Sequence, residues 1–262
     1  MGHMATRQTL AAGSRNVRLR ELTGYDELAI DRTDSAAAIA LIDRLCTAPA
    51  EHVPHSNDPG VAFQLTAFER DQILAGIYAH YYGKRIDSTL TCATCSKPFD
   101  IAFDLDELIG RAARPSDIHA APDGSYCLES GVRFRLPTGG DELAVLHLSP
   151  DEAVGELLRR CMLEAPGGFD PGAVQDAMEQ VAPIIDIDVN TSCPECGTGA
   201  QSRFDLQSYL LQSILQDRRR LWRETHVLAI AYKWSLQDIL GLARPDRRTL
   251  VALIESNMSR VP

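Results

Sequence analysis

Apolar positions along the chain recur mostly at helical spacing, and strand-like alternation is confined to a few short pieces. Val17 to Ile30 mixes apolar and charged residues, and Ala36 to Leu45 is rich in Ala and Leu, which predicts a helix. Thr66-Ala-Phe-Glu69 has the form of a capping box, in which hydroxyl and carboxylate each satisfy an amide left unpaired by the first helical turn. Behind it Leu74, Ile77, Tyr78 and Tyr81 form an apolar stripe, so residues 67–82 are expected to be helical. Ser149-Pro150-Asp-Glu152 opens another helix, with Pro at its first position. That helix carries a stripe of Val154, Leu157, Leu158, Cys161 and Met162, which makes Cys161 a small core residue rather than a nucleophile. Asp170-Pro171 starts a further helix through about Val181, and the pattern from Leu206 to about Tyr232 is helical. Ser235-Leu-Gln-Asp238 caps a short helix that Arg244-Pro245 is expected to break, and Thr249 to Met258 is the last helical segment.

Residues 47–60 carry Pro49, Pro54 and Pro59 and read as a loop. The Pro- and Gly-rich stretch 114–140 holds one strand signal, Val132 to Leu136, followed by a turn at Gly139-Gly140-Asp141. The expected class is mainly α with small β hairpins, an α+β arrangement. Four segments follow in order. Residues 1–16 form a flexible tail whose Met1-Gly2-His3-Met4 has the form of a cloning remnant. Residues 17–110 form a helical part with a first cysteine knuckle, 111–185 a strand and helix insertion, and 186–262 a second knuckle with a helical region.

The knuckles are copies of one another. Ile86-Asp87, Cys92-Ala-Thr-Cys95 and Phe103-Asp104-Leu105 recur as Ile187-Asp188, Cys193-Pro-Glu-Cys196 and Phe204-Asp205-Leu206, at a constant offset of 101. One Cys-x-x-Cys turn supplies two thiolates, whereas structural zinc takes four ligands in a tetrahedron. Cys92, Cys95, Cys193 and Cys196 are therefore expected to close one structural Zn2+ site, with Phe103 and Phe204 on the returning strands. Four thiolates leave no open position for a water, so the site is structural rather than catalytic. Redox pairs and disulfides are the alternatives; redox Cys-x-x-Cys motifs sit at helix N-termini, and here strand-like residues follow each pair. Cys46, Cys127 and Cys161 are the remaining three of seven cysteines.

The formal net charge of −10 disfavours nucleic acid, whose binding draws on clustered Lys and Arg. No run of 18 apolar residues spans a membrane and no signal peptide opens the chain, which points to a cytoplasmic protein. No phosphate-binding glycine loop, His-Glu-x-x-His or Gly-x-Ser-x-Gly is present, and the expectation is that the chain is not an enzyme. His52 and His55 lie in the proline loop. Arg218, Arg219 and Arg220, with Trp222, Tyr232 and Trp234, form a candidate partner-binding surface, since aromatic residues beside arginine anchor protein interfaces. The same aromatic residues could instead pack the core.

Cys193-Pro-Glu-Cys196-Gly197, Phe204-Asp205-Leu206, the run from Leu221 to Leu242, Arg247-Arg248 and Leu253-Ile254 together resemble the T-even-type phage baseplate assembly proteins, whose relatives occur in contractile injection systems. Leu19-Arg-Glu-Leu-Thr-Gly24, Leu65 to Asp71 and Gly83 to Asp87 are similar to the same family. The likeness is strongest in the last 70 residues and weakest in the middle stretch 111–150. The resemblance implies a non-enzymatic factor that helps build the baseplate hub or spike, with hub or spike proteins as partners. A permanent baseplate component and a zinc-ribbon nucleic-acid-binding regulator are the other readings.

Overall fold

The computed structural model describes residues 7–12, 15–46, 60–112 and 117–258. The proline loop with His52 and His55, and the first six residues, lie outside the described residues. The chain forms two compact units, one made of residues 1–61 and 208–262 and the other of residues 62–207. The first unit is thus discontinuous in sequence, a division different from the four consecutive segments that the chain pattern suggests. The described residues are predominantly helical with small antiparallel sheets, as the α+β reading expects. No described helix is long and apolar enough to cross a membrane.

In the first unit Arg7–Ala12 pairs antiparallel with Arg15–Arg20, from Arg7 opposite Arg20 to Ala12 opposite Arg15. Residues 7–12 and 15–16 of the expected flexible tail are therefore in strands, because each supplies the other with backbone hydrogen bonds that composition alone does not announce. Helices Gly24–Ala29 and Ser35–Leu45 follow, the second opened by Asp34, whose carboxylate accepts from the Ala37 amide at 2.9 Å. The long helical pattern near the C-terminus divides at Asp217 into Leu206–Gln216 and Arg218–Tyr232. Leu236–Gly241 and Arg244–Met258 complete the unit. Arg244-Pro245 begins that last helix instead of breaking the previous one, since a proline in the first turn withholds no amide that the helix needs. Leu228, Ile239 and Val251 form the core between these helices, with Leu242, Leu250 and Ile254 packed on them.

In the second unit Ala67–Tyr82 forms as its capping box predicts: the Thr66 amide donates to Glu69 at 2.9 Å, and the Glu69 amide to the Thr66 hydroxyl at 3.2 Å. Tyr126–Cys127, Arg133–Phe134 and Met162–Glu164 make a three-stranded sheet. Val132 and Phe134 bury against Val174 and Ala177 of helix Pro171–Val181. Helix Pro150–Cys161 ends on a fully buried Cys161, whose thiol burial pushes up to about 11. Val154 of the same stripe is 45 % exposed, so that face is only partly in the core. Gly139-Gly140-Asp141 opens helix Gly139–Val145 and is not a bare turn.

That helix start reveals a second internal repeat. Val17-Arg-Leu-Arg20, Thr23-Gly24 and Asp26-Glu-Leu-Ala29 recur as Val132-Arg-Phe-Arg135, Thr138-Gly139 and Asp141-Glu-Leu-Ala144. In each copy the threonine amide and hydroxyl donate to the aspartate, at 2.9 and 2.7 Å in the first and 3.0 Å each in the second. The preceding arginine forks the same carboxylate: Arg20 holds Asp26 at 2.6 and 2.9 Å, and Arg135 holds Asp141 at 2.6 and 3.1 Å. Burial opposes ionisation of both carboxylates, yet the guanidinium and threonine bonds win and hold them below the usual range. The glutamate that follows turns inward onto a buried arginine. Arg70 grips Glu142 through both oxygens at 2.7 Å, and Arg247 grips Glu27 at 2.5 Å. Each of those arginines also leans on the carbonyl five residues before it, Leu65 at 3.4 Å and Leu242 at 3.5 Å. The two units are thus organised by the same device.

Around Arg247 the device widens into a network. Arg247 also donates to Glu224 at 2.7 Å, while Arg244 reaches Glu27 at 3.3 Å and Asp217 at 2.5 Å. Arg244, Arg247 and Glu27 are each 1 % exposed. Removing one partner would leave an opposite charge buried without compensation, which costs more than the intact pair contributes. Arg247→Met is expected to lower unfolding free energy by about 3–5 kcal/mol in urea titrations, whereas Arg85→Ala, at an exposed pair with Asp87, leaves it almost unchanged.

Asp71 is the buried carboxylate that lacks such a grip. Its oxygen accepts only the Ile185 amide, at 2.7 Å, among the bonds it makes with described residues. Burial raises its pKa to about 6; the Ile185 amide and Arg70 pull it down, and Asp205 and Glu142 push it up. A folded pKa above the unfolded 3.8 means the folded state binds the extra proton, so the contribution of this group to stability is fully present below about pH 4 and is lost as pH rises through about 6. Asp71→Asn, which can still accept the amide, should flatten this part of the pH–stability curve and raise stability at pH 7 by about 3 kcal/mol. An unchanged slope between pH 4 and 6 would contradict it.

Candidate metal centre

Two hairpins of identical register present the cysteines. Arg85–Thr91 pairs with Pro98–Asp104, from Arg85 opposite Asp104 to Thr91 opposite Pro98. Asp186–Ser192 pairs with Gly199–Asp205 at positions shifted by the same offset of 101 throughout. At each tip the chain turns back on itself in the same way. The amides of Cys92 and Cys193 donate to the carbonyls of Lys97 and Thr198, and the amides of Ser96 and Gly197 donate back to Cys92 and Cys193. Ser96 and Gly197 both take a left-handed backbone, with φ of 57° and 72°. Phe103 and Phe204 meet edge to face at 4.9 Å, and Lys97 pairs with Glu195 at 2.7 Å, so the hairpins touch at both ends.

Between these contacts the four sulfur atoms come together, all within 4.8 Å of one another. Cys92 Sγ lies 3.6 Å from Cys196 Sγ, and Cys95 Sγ lies 3.7 Å from Cys193 Sγ. A disulfide would need about 2.05 Å, and none of the seven cysteines is in one. A tetrahedron of thiolates around one ion with metal–sulfur bonds of about 2.3 Å has edges of about 3.8 Å. The pairings cross from one hairpin to the other, so each edge joins segments far apart in sequence. Phe99, Leu90, Ile101 and Ala200 pack around Cys92 and Cys193, which are 2 % and 1 % exposed.

Electrostatics show what a cation would supply to the cluster. The Thr198 hydroxyl and amide lower Cys196 to about 6, and the amides of Cys95 and Thr94 lower Cys92. The Lys97 amide favours the Cys95 thiolate as well, yet burial and the three facing thiols drive that group up to about 11. Four thiolates at these distances would repel strongly, and a central positive ion would offset that repulsion where protonation of Cys95 otherwise relieves it. Turn amides poised to donate to sulfur are the supporting shell that metal thiolates require. The donor set and spacing fit one tetrahedral metal ion, and this is the only group of three or more potential ligands among the described residues.

The candidate partner residues separate. Arg218 turns inward and donates to the carbonyls of Leu28 and Ile30, so it ties helices together and does not belong to a free surface. Trp222, Tyr232 and Trp234 are 48 %, 39 % and 41 % exposed, and the last two stack at 4.8 Å. Leu221 and Leu228, on the same helix, are the ones that enter the core. Arg219 and Arg220 are exposed and line a cavity with Arg223 and Arg248. Arg223 escaped the sequence reading although it follows Arg219 by four residues on one helix; Arg248 escaped it because only the pairing of two helices separated by Leu236–Gly241 brings it there. Glu224 and His226 form no acid–base pair; Glu224 is buried on Arg247.

A family model described as T4 bacteriophage base plate protein matches residues 3–165. The match covers the first knuckle and the middle stretch 111–150, where the resemblance looked weakest, and stops before the second knuckle and the C-terminal helices. Both copies of the Thr-Gly-x-Asp-Glu motif lie inside it. No curated protein and no solved structure matches the chain.

The turn geometry makes a direct prediction. Gly197→Ala forces a Cβ into the left-handed region and should cost about 1–2 kcal/mol of thermal or urea stability, whereas Ser96→Gly, at the equivalent position, should cost nothing. Equal losses at both sites would mean that the turns are not held in this conformation.

Proposed function

The chain belongs to the T4 bacteriophage base plate protein family, and from that premise we propose that it is a non-enzymatic assembly factor for the baseplate hub or spike of a phage tail or related contractile particle. It works in the cytoplasm, where such particles are built, and carries one structural Zn2+ on Cys92, Cys95, Cys193 and Cys196. When bound, the ion supplies the positive charge that lets four thiolates share one site, and it leaves no open position for substrate or water. The chain's own residues do the rest: the two hairpins hold the thiols, and their turn amides face the sulfur atoms.

The observation that carries the binding role is the exposed aromatic group Trp222, Tyr232 and Trp234 on the helical unit. Large aromatic residues left in water beside arginines are what a protein interface buries at its centre. The closed thiol cluster supports a scaffold rather than a reaction centre, and the family match supports a place in baseplate construction.

The test is a tagged pull-down from cells that express the whole particle cluster, set against mass spectrometry of purified, unsheared particles. An assembly factor brings down hub or spike proteins while finished particles lack it. Fixed stoichiometry in the particles would instead make it a permanent component, and capture of no baseplate protein would remove the reading. Trp222→Ala with Trp234→Ala should weaken the capture roughly tenfold or more with no change in melting temperature.

A further inference from the structure

Helices Arg218–Tyr232 and Arg244–Met258 enclose a cavity of about 550 Å³ within one unit. Arg219, Arg220, Arg223 and Arg248 line it, with Val251 and Ala252 as an apolar floor. In a chain of net charge −10, four guanidinium groups around one concavity are a local inversion of sign. Two glutamates line the cavity, and Asp217 accepts from Arg248 at 3.3 Å, but these acids do not neutralise the set. Glu224 is already bound by the buried Arg247 at 2.7 Å and stands 3.7 Å from both Arg220 and Arg248. Glu255 meets Arg223 at 3.5 Å as an exposed pair, which contributes little. Arg219 makes no ion pair or hydrogen bond with any described residue. Crowding acts on the fourth cation too: burial, then Arg244 and Arg220, lower the pKa of Arg248.

We propose that this cavity docks an acidic, carboxylate-bearing segment of a partner protein, with apolar residues interleaved among its acids. The inference rests on the assembly reading and names the chemistry of its partner. Guanidinium forks bind carboxylates in planar, two-bonded geometry, which sets arginine apart from lysine as an anchor. Trp222 stands one helical turn from Arg219, and Ile230 two turns along the face of Arg223; they are 48 % and 57 % exposed. A segment that seats its acids on the arginines therefore lays its apolar residues on Trp222 and Ile230. Nucleic acid offers the same anionic chemistry, but its extended run of phosphates reaches well beyond four arginines, and the chain as a whole carries a net charge of −10.

Fluorescence anisotropy of the full chain tests this with three labelled probes: a short peptide of repeated Glu-Glu-Leu, its Gln-Gln-Leu counterpart, and a single-stranded DNA of equal length. The acidic peptide should bind most tightly and weaken as salt rises. Arg219→Glu with Arg223→Glu should weaken it roughly tenfold or more, while the melting temperature stays unchanged because neither side chain supports the core. No binding of the acidic peptide, equal binding by the variant or of the glutamine peptide, or tighter binding of DNA would each overturn the proposal. Co-expression separates it from the reading it rests on. A variant that captures baseplate proteins as well as the parent removes the pocket and leaves the assembly role. A parent that binds the acidic peptide but captures no baseplate protein removes the assembly role and leaves the pocket.

Discussion

Four sulfur atoms within 4.8 Å of one another impose the strongest constraint on the chain, because they come from turns separated by nearly a hundred residues. Each hairpin alone has two strands and one apolar face too small to be stable in water. Joined tip to tip, they bury Cys92, Cys193 and Phe99 and bring Phe103 onto Phe204. Everything between the knuckles, including the three-stranded sheet and helix Pro171–Val181, is thereby held as one loop closed at both ends. In zinc-finger peptides the ion contributes on the order of 10 kcal/mol or more to folding, comparable to the whole stability of a domain. With the proposed ion bound, the sulfur cluster would contribute folding free energy on the scale of the second unit's whole stability.

A second constraint is electrostatic and occurs twice. Thr-Gly-x-Asp-Glu starts a short helix, an upstream arginine forks the aspartate, and a buried arginine takes the glutamate. Gly24 is needed at one of these starts because a Cβ would lie 2.8 Å from Leu240 and 3.1 Å from its backbone. Short helices of six or seven residues have little stability of their own; here the charges fix where they begin and what they face. Such pairs specify geometry more than they add stability, since hydrophobic replacements can be as favourable. The asymmetry between Arg247, buried at the centre of a network, and Arg219, exposed at a cavity, separates the structural cations from those available to a partner.

Much of this was legible in the sequence where the signal was local or repeated. The capping box at Thr66, the helix start at Ser149-Pro150 and the knuckle repeat all follow from residues a few positions apart. The second repeat was equally present in the letters, but Leu19 against Phe134 and Tyr25 against Gly140 broke its identity, and no cysteine drew attention to it. The strand Arg7–Ala12 was invisible because its order comes from the pairing with Arg15–Arg20. Whether Trp222 lay in the core or in solvent depended on which face of its helix met Val251 and Ile239, a tertiary fact that a 3.6-residue period does not reveal. Arg244-Pro245 shows the same limit: a proline ends one helix or opens the next, and only the packing of Arg244 on Glu27 decides.

The central claim is that one metal ion closes the two knuckles, and metal content tests it most directly. Elemental analysis of the protein purified without added metal or chelator should find one zinc per chain. Cys92→Ser with Cys193→Ser should abolish that content, and stripping the ion with a strong chelator should cause loss of cooperative unfolding that added zinc restores. A metal-free protein that unfolds cooperatively at the same temperature, with and without chelator, would contradict the account.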